Sequence, residues 1–85
     1  MDEYKIYLKK SAAKEIELLP KKDIARILER IEALQHNPRP KGNEKLAGVE
    51  LYRVRQGCYR ILYSIEDRIL TVWIVKVGHR QEVYR

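Results

Sequence analysis

Two short alternating segments separated by two residues are the feature that most restricts the fold of this chain. Residues 51–56 and 59–65 both have the period of a β-strand, and Gly57-Cys58 lies between them. Glycine at the first of two turn positions is typical of a type II′ hairpin, because it adopts positive φ without strain. The sequence therefore predicts an antiparallel hairpin with a two-residue turn, in which Arg55 lies opposite Arg60.

This register places two like charges side by side on one face of the hairpin. Such a pair destabilises a sheet by up to roughly 1 kcal/mol. Arg53 then lies opposite Leu62 on the same face, while the other face, expected under the helices, carries Tyr52, Val54, Tyr59, Ile61 and Tyr63. The paired arginines indicate an anionic partner, and the planar fork of arginine suits phosphate.

The first half of the chain predicts one strand and two helices. Residues 4–8 alternate like a short strand with one buried face. Ser11 is the expected N-cap of a first helix, and Pro20 marks its end or the start of the next one. The second helix has an apolar stripe at helical spacing, formed by Ile24, Ile27, Leu28, Ile31 and Leu34.

The second half predicts a meander. A turn at residues 66–68 separates the hairpin from a third strand, expected over residues 69–77. The predicted fold is α+β: a short N-terminal strand, a two-helix hairpin, and a three-stranded antiparallel meander that forms a single small sheet with the helices on one face. With 85 residues, the chain is expected to be a single domain, residues 1–85.

Composition narrows the classes of function. The net charge of +6 favours nucleic acid or another acidic partner. The single cysteine, Cys58, excludes an internal disulfide, and no apolar run approaches the roughly 20 residues that cross a bilayer. No metal-ligand spacing or cofactor motif is present. A cytoplasmic protein without metal, cofactor or membrane contact is expected.

Cationic and polar side chains are the candidates for chemistry. The hairpin supplies Arg53, Arg55 and Arg60, and the segment after the third strand supplies His79, Arg80 and Tyr84. Lys76 joins the arginine face if the second turn keeps three residues. Fixed cations can stabilise a phosphate that is being cleaved, and RNA cleavage needs no metal because the 2′-hydroxyl is an internal nucleophile. Binding of an acidic protein or of uncleaved nucleic acid fits these residues equally well.

The whole chain resembles the RelE/ParE superfamily of type II toxin–antitoxin systems, and the RelE-like branch in particular. The resemblance lies in the order and spacing of short segments over nearly all 85 residues. These segments are Ser11-Ala12-x-Lys14-Glu15, Asn37-Pro38, Lys45-Leu46-x-Gly48, Tyr52-Arg-Val-Arg55, Gly57-x-Tyr59-Arg60-Ile-Leu-Tyr63, Val77-Gly-His-Arg80 and Val83-Tyr84.

The resemblance implies a toxin that cleaves mRNA in the A site of the 70S ribosome, inhibits translation and is silenced by a cognate antitoxin protein. By position, Arg53 and Arg55 correspond to family lysines that contact the phosphate. Arg60 corresponds to an arginine that supports charge in the transition state. Arg80 corresponds to a proposed general acid, and Tyr84 to a tyrosine that orients or stacks on the mRNA.

Arginine at positions 53 and 55 departs from the family pattern. A guanidinium stays protonated, with a pKa above roughly 12, and is therefore a poor proton acceptor. His79 and Tyr84 remain as candidate general bases, and an imidazole suits neutral pH better than a phenol. The hypothesis is that His79 is the general base.

Two other functions are compatible with the resemblance. A ParE-like toxin inhibits DNA gyrase by binding and need not cleave RNA, and a degraded toxin is only a binding module. The combination of Arg55, Arg60, Arg80 and Tyr84 favours the nuclease, because the gyrase branch generally lacks that full set. Either toxin implies an antitoxin segment that wraps this domain, covers apolar surface and neutralises arginines.

Overall fold

The computed structural model describes residues 3–79 of the chain. In this part the elements are, in chain order, β1 (Lys5–Leu8), α1 (Lys10–Glu17), α2 (Lys21–Ala33), β2 (Glu44–Lys45), β3 (Tyr52–Gln56), β4 (Tyr59–Glu66) and β5 (Thr71–His79). The strands form one sheet in the order β1-β5-β4-β3-β2, with both helices packed on one face. The predicted α+β class is confirmed.

The β3–β4 hairpin has the predicted register. Arg55 lies opposite Arg60, Arg53 opposite Leu62, and Gln56 opposite Tyr59, which leaves a two-residue turn. Gly57 has a φ of 62°, whereas Cys58 does not have positive φ. Positive φ at the first turn residue alone distinguishes a type II′ turn from a type I′ turn, so the local sequence set the geometry of the hairpin.

The sheet has more strands than the predicted meander. β1 joins the edge of β5 in parallel, from Lys5 opposite Thr71 to Leu8 opposite Ile74. β2 adds two residues at the other edge, with Glu44 opposite Arg53. β1 and β5 are far apart in the sequence, and the two residues of β2 have no strand pattern of their own. Alternation along the sequence therefore did not reveal either pairing.

The second turn differs from the prediction. Glu66 ends β4, the residues Asp67–Ile69 form a 3₁₀ turn, and Leu70 is left-handed with a φ of 47°. Farther along, Leu62 pairs with Lys76 while Tyr63 pairs with Ile74. The extra residue, Val75, is a β-bulge that changes which side chains of β5 face each side of the sheet.

The helices follow the predicted stripes with two differences. α1 begins at Lys10 with Lys9 at its N-cap position, so the prediction of Ser11 as N-cap is wrong. Pro20 occupies the N-cap position of α2, consistent with its predicted place at the junction. Leu28 is 45% exposed, while the other residues of the stripe are buried or packed against the core: Ile24, Ile27, Ile31 and Leu34.

Tyr63 is the largest side chain that is fully buried in this core. Its hydroxyl donates a hydrogen bond of 2.7 Å to the carbonyl oxygen of Pro38, in the loop between α2 and β2. Burial raises the pKa of Tyr63 to about 12. The hydroxyl therefore stays protonated, and it anchors the loop to the centre of the sheet.

A second set of contacts anchors the same loop to the turn before β5. Arg39 donates to both carboxylate oxygens of Asp67, at 3.2 and 2.9 Å, and Tyr4 donates to Oδ1 at 2.7 Å. The Arg39 guanidinium also lies 5.3 Å from the centre of the Tyr52 ring. The hydrogen bonds from Arg39 and Tyr4 lower the pKa of Asp67 to about 2.

Within residues 3–79, no helix has the length and apolar character that crossing a bilayer requires.

Replacing Tyr63 with Phe is expected to destabilise the fold by about 1–3 kcal/mol, because the Pro38 carbonyl loses its buried donor. Urea unfolding at neutral pH measures this loss. Tyr52→Phe is the matched control, because its hydroxyl only accepts a long bond of 3.4 Å from Arg39 near the surface. Equal effects of the two substitutions would contradict a special role for the bond to Pro38.

Replacing Asp67 with Asn is expected to lower stability at neutral pH but not in strong acid. The pKa of Asp67 falls from 3.8 to about 2 on folding. A carboxyl with a lowered folded pKa stabilises the protein above its unfolded pKa, and this contribution is lost as the pH falls from about 4 to about 2. Urea midpoints of wild type and variant should therefore differ at pH 7 and converge below about pH 2.

The control for this experiment is Glu29→Gln, which removes an exposed carboxylate on α2. Its urea midpoint is expected to follow that of the wild type at every pH. If the urea midpoints of wild type and Asp67→Asn differed as much in acid as at neutral pH, the carboxylate charge would not be the source of the effect.

Candidate functional site

The face of the sheet that α1 and α2 leave uncovered, here called the open face, carries the arginines of the hairpin. Arg55 and Arg60 are directly opposite each other, and Arg53 lies two residues before Arg55 on the same side of β3. These three residues are named the cationic cluster. Arg55 is exposed, Arg60 is half-buried, and Arg53 is 9% exposed.

Neighbouring residues explain why Arg53 and Arg60 of the cationic cluster are partly or largely buried. Leu62 lies opposite Arg53 and is buried although it is on the open face. Arginine stems cover apolar surface while their guanidinium groups stay polar. The hairpin therefore holds the stems of Arg53 and Arg60 by packing and places all three arginines on one face, as a site for an anion requires.

Glu44 is a carboxylate beside the cluster that the sequence analysis missed. It forms an ion pair with Arg53, its partner across the β2–β3 ladder. The hydrogen bond and charge of Arg53 lower the pKa of Glu44, and the charges of Arg55 and Arg60 lower it further. Glu44 is therefore ionised at neutral pH and is electrostatically coupled to all three arginines.

The sequence contains little that would place Glu44 in a strand beside the arginines. It follows a loop rich in proline and glycine, and two residues are too few to show alternation. Only its pairing with β3 places it near Arg53.

Lys76 lies on the open face, but it is already paired. Its Nζ atom is 2.8 Å from Oε2 of Glu15 in α1. The other oxygen of Glu15 accepts a 3.0 Å hydrogen bond from the backbone N–H of Val77. The loop before β5 is not the predicted three-residue turn, and the bulge at Val75 places Lys76 beside Leu62 instead. Glu15 compensates the charge of Lys76, so this lysine contributes less to an anion site than the arginines do.

His79 does not share the open face with the cationic cluster. It pairs with Tyr59, and both follow the side of the sheet on which the helices pack. The two rings meet edge to face, with centres 6.2 Å apart. Tyr59 in turn donates a 2.9 Å hydrogen bond to Oδ2 of Asp23 in α2, which raises the pKa of Tyr59. His79 therefore lies at the end of β5, near the hairpin but facing away from Arg55 and Arg60.

Arg80 and Tyr84 lie outside the described residues, so their predicted roles stay predictions. Among residues 3–79, no group of three or more histidine, cysteine or acidic side chains is arranged to hold a metal ion. The chemistry available on the open face is that of fixed guanidinium groups with one ionised carboxylate beside them. Such a site can bind a phosphate, neutralise charge that builds on it, and accept a proton.

The chain is similar to known toxins over nearly its whole length. The family model for the ParE toxin of type II toxin–antitoxin system, parDE, matches residues 6–84. Toxin RelG of Mycobacterium tuberculosis is 33% identical over 86 residues, which cover 96% of this chain and 97% of that protein.

Solved structures agree with this similarity. The toxin–antitoxin complex RelBE2 of Mycobacterium tuberculosis contains a chain with a TM-score of 0.85 and 28% identity, covering 96% of this chain and 97% of that one. The archaeal RelE–RelB complex of Pyrococcus horikoshii OT3 contains one with a TM-score of 0.82 and 32% identity, covering 93% and 97%. The family match, the identity to a toxin and the shared fold together confirm the resemblance, and this chain belongs to the RelE/ParE superfamily of type II toxin–antitoxin toxins.

Proposed function

We propose that this toxin is a metal-independent endoribonuclease that cleaves mRNA in the A site of the 70S ribosome and inhibits translation. The observation that carries the proposal is the pairing of Arg55 with Arg60 on the open face, beside Arg53. Two cations that face each other across the hairpin have a register that costs sheet stability, and an anionic ligand explains why they are placed there. The RelE-like resemblance supports RNA as that ligand.

The cationic cluster suits the charge changes of RNA cleavage. When the 2′-hydroxyl attacks its neighbouring phosphate, negative charge builds on the phosphate oxygens. Arg60 is half-buried and held by its strand, so its guanidinium needs little rearrangement to meet that charge. Arg55 is exposed and reaches an incoming strand first. Arg53, held by Glu44, is the third phosphate contact.

We assign the proton acceptor to Glu44 in preference to His79. The arginines remain protonated, so the base must be another group. Glu44 is ionised and electrostatically coupled to the whole cluster, whereas His79 faces the helix side beside Tyr59. A lowered pKa keeps Glu44 in its basic form at neutral pH, although it also weakens the base. The fixed cations compensate by stabilising the oxyanion that forms.

Arg80 and Tyr84 complete the proposal in the roles that the resemblance implies. Arg80 is the proposed general acid for the leaving 5′-oxygen, and Tyr84 is the proposed contact to the mRNA. In the sequence, Arg80 is the first residue after β5 and Tyr84 comes four residues later. Lys76 is kept as an outer phosphate contact, partly neutralised by Glu15.

The proposed partners are a cognate antitoxin protein and ribosome-bound mRNA in the cytoplasm. The solved relatives are complexes of RelE-type toxins with their antitoxins, which supports an antitoxin for this chain. A domain of 85 residues has little surface to position free RNA, and the ribosome is proposed to supply part of the binding. The proposed reaction requires no small-molecule cofactor and no membrane.

Gyrase inhibition is the second candidate function. The family model that matches the chain is that of the ParE toxin, which favours this alternative. The fold alone does not distinguish the two activities. The cationic cluster with its neighbouring carboxylate favours the nuclease, because inhibition by binding needs no proton acceptor.

Replacing Arg60 with Ala is expected to slow mRNA cleavage by about 10²–10³-fold, the usual loss when one fixed donor to a developing charge is removed. Primer extension on mRNA programmed into ribosomes measures the cuts. Wild-type cuts at A-site codons are expected to persist in EDTA. Arg68→Ala, which removes an exposed arginine in the turn before β5, is the matched control and should cleave normally.

Intact mRNA after incubation with folded wild-type protein would contradict the nuclease proposal. A gyrase supercoiling assay on the same preparation then tests the second candidate. Inhibition of supercoiling together with uncut mRNA would establish the ParE-like activity instead.

Replacing Glu44 with Gln is expected to lower kcat for cleavage by about 10²-fold or more, while KM does not rise. Loss of the carboxylate removes the proton acceptor and leaves the arginines that hold the phosphate in place. His79→Ala is expected to cleave at close to the wild-type rate with an unchanged pH profile. Single-turnover cleavage as a function of pH measures both variants.

The pH profile of mRNA cleavage distinguishes the two candidate bases, Glu44 and His79. Because the pKa of Glu44 is lowered, its basic form, and with it wild-type cleavage, persists to lower pH than an ordinary glutamate would allow. His36→Ala, which removes an exposed histidine paired with Glu3, is the control for His79→Ala. A slow His79→Ala variant with an altered pH profile, beside a normal Glu44→Gln variant, would make His79 the base.

A further inference from the structure

An aromatic pair lies on the open face beyond the cationic cluster. Tyr7 of β1 and Trp73 of β5 are partners in the parallel ladder, and their rings stack with centres 5.0 Å apart at 27°. Tyr7 is 45% exposed, so a large part of its side chain is accessible to a ligand. Val72 and Ile74, on either side of Trp73, are fully buried under the helices, so Trp73 faces the opposite way.

A groove of 480 Å³ adjoins this pair. Its walls are formed by Lys9, Leu51, Ser64, Glu66, Trp73 and Val75. Both helices pack on the other side of the sheet, so no described helix covers this groove. Its lining is partly apolar, and Lys9, Ser64 and Glu66 supply the polar groups.

The groove and the cationic cluster form one continuous surface. Trp73 lies opposite Ser64 in β4, and Ser64 is two residues from Leu62, the neighbour of Arg53. Two residues along a strand span about 7 Å, and the four residues from Ser64 to Arg60 span about 13 Å. One short strand of RNA can therefore touch the aromatic pair and the arginines together.

We propose that Tyr7 and Trp73 form a stacking platform for a base of the RNA strand whose phosphate the cationic cluster holds. This proposal rests on the proposed function and adds a subsite to it. Proteins that bind single-stranded nucleic acid combine cations that follow the backbone with aromatic rings on which bases stack. The open face has both parts, on neighbouring strands of one rigid sheet.

Charge favours RNA over an acidic peptide as the occupant. Glu66 lines the groove beside Trp73, and Glu44 lies beside the arginines. An acidic peptide laid along the groove would bring its own carboxylates against Glu66. A nucleobase is neutral, and its amino groups can donate hydrogen bonds to Glu66 and Ser64, while the phosphates stay near the arginines.

Trp73 provides a direct measurement, because it is the only tryptophan of the chain. The full chain is titrated with a 2′-O-methyl RNA of about six nucleotides, a length within the range that small single-strand binding folds cover. The 2′-O-methyl group removes the nucleophile, so the probe is bound but not cleaved. An abasic oligonucleotide of equal length is the matched probe, because it keeps the phosphates and lacks the bases.

Quenching of Trp73 fluorescence by the RNA but not by the abasic probe is the expected result. Tyr7→Ala is expected to weaken RNA binding by roughly 5- to 150-fold and to leave binding of the abasic probe unchanged. Tyr7→Phe keeps the ring and should bind like the wild type. Ile69→Ala removes an exposed apolar side chain from the turn before β5 and serves as the control.

Three results would overturn the platform. They are no fluorescence change with RNA at low salt, equal affinity of wild type and folded Tyr7→Ala for RNA, and quenching by an acidic Glu/Leu peptide but not by RNA. If ribosome-bound mRNA is still cleaved in such a case, the nuclease stands without the platform. Base-dependent quenching by RNA with no cleavage would support the platform and contradict the nuclease.

Discussion

The two-residue turn at Gly57-Cys58 is the constraint on which the rest of this structure depends. It sets the register of β3 and β4, and a shift by one residue would exchange the two faces of the hairpin. With the observed register, Val54 and Ile61 enter the core, while Arg55 and Arg60 share the opposite face. The same local geometry therefore fixes the packing of the helices and the position of the charges.

Carboxylates at the two ends of this charged face offset the repulsion that the register creates. Glu44 pairs with Arg53 at one edge of the hairpin, and Glu15 pairs with Lys76 near β5. The central pair, Arg55 and Arg60, has the register of like charges that a folded sheet tolerates only at a cost. The proposed phosphate binds beside this central pair of arginines.

Local signals in the sequence predicted the parts of the fold that depend on neighbouring residues. The hairpin and its facing pairs came from alternation and one glycine, and the helices from the apolar stripes. Three features depend on contacts between distant segments, which no short sequence pattern contains. They are the bulge at Val75, the parallel β1–β5 pairing and the position of Glu44 beside Arg53. Lys76 lies on the predicted face because of the bulge at Val75, although the turn before β5 is not the one predicted. His79 likewise lies on the helix side because it pairs with Tyr59 across the β4–β5 ladder, and its position in the sequence alone does not show this.

The contact of Glu15 with β5 has a consequence for how this small domain behaves at high concentration. β1 pairs with β5 as far as Ile74, and among residues 3–79 no other strand pairs with the rest of that side of β5, so this part of the backbone forms an outward-facing edge. An edge of this kind is a template onto which a strand from another molecule can add. Glu15 accepts the outward N–H of Val77 and places a charged side chain across that edge. One helical carboxylate thereby opposes the growth of the sheet from one molecule into the next.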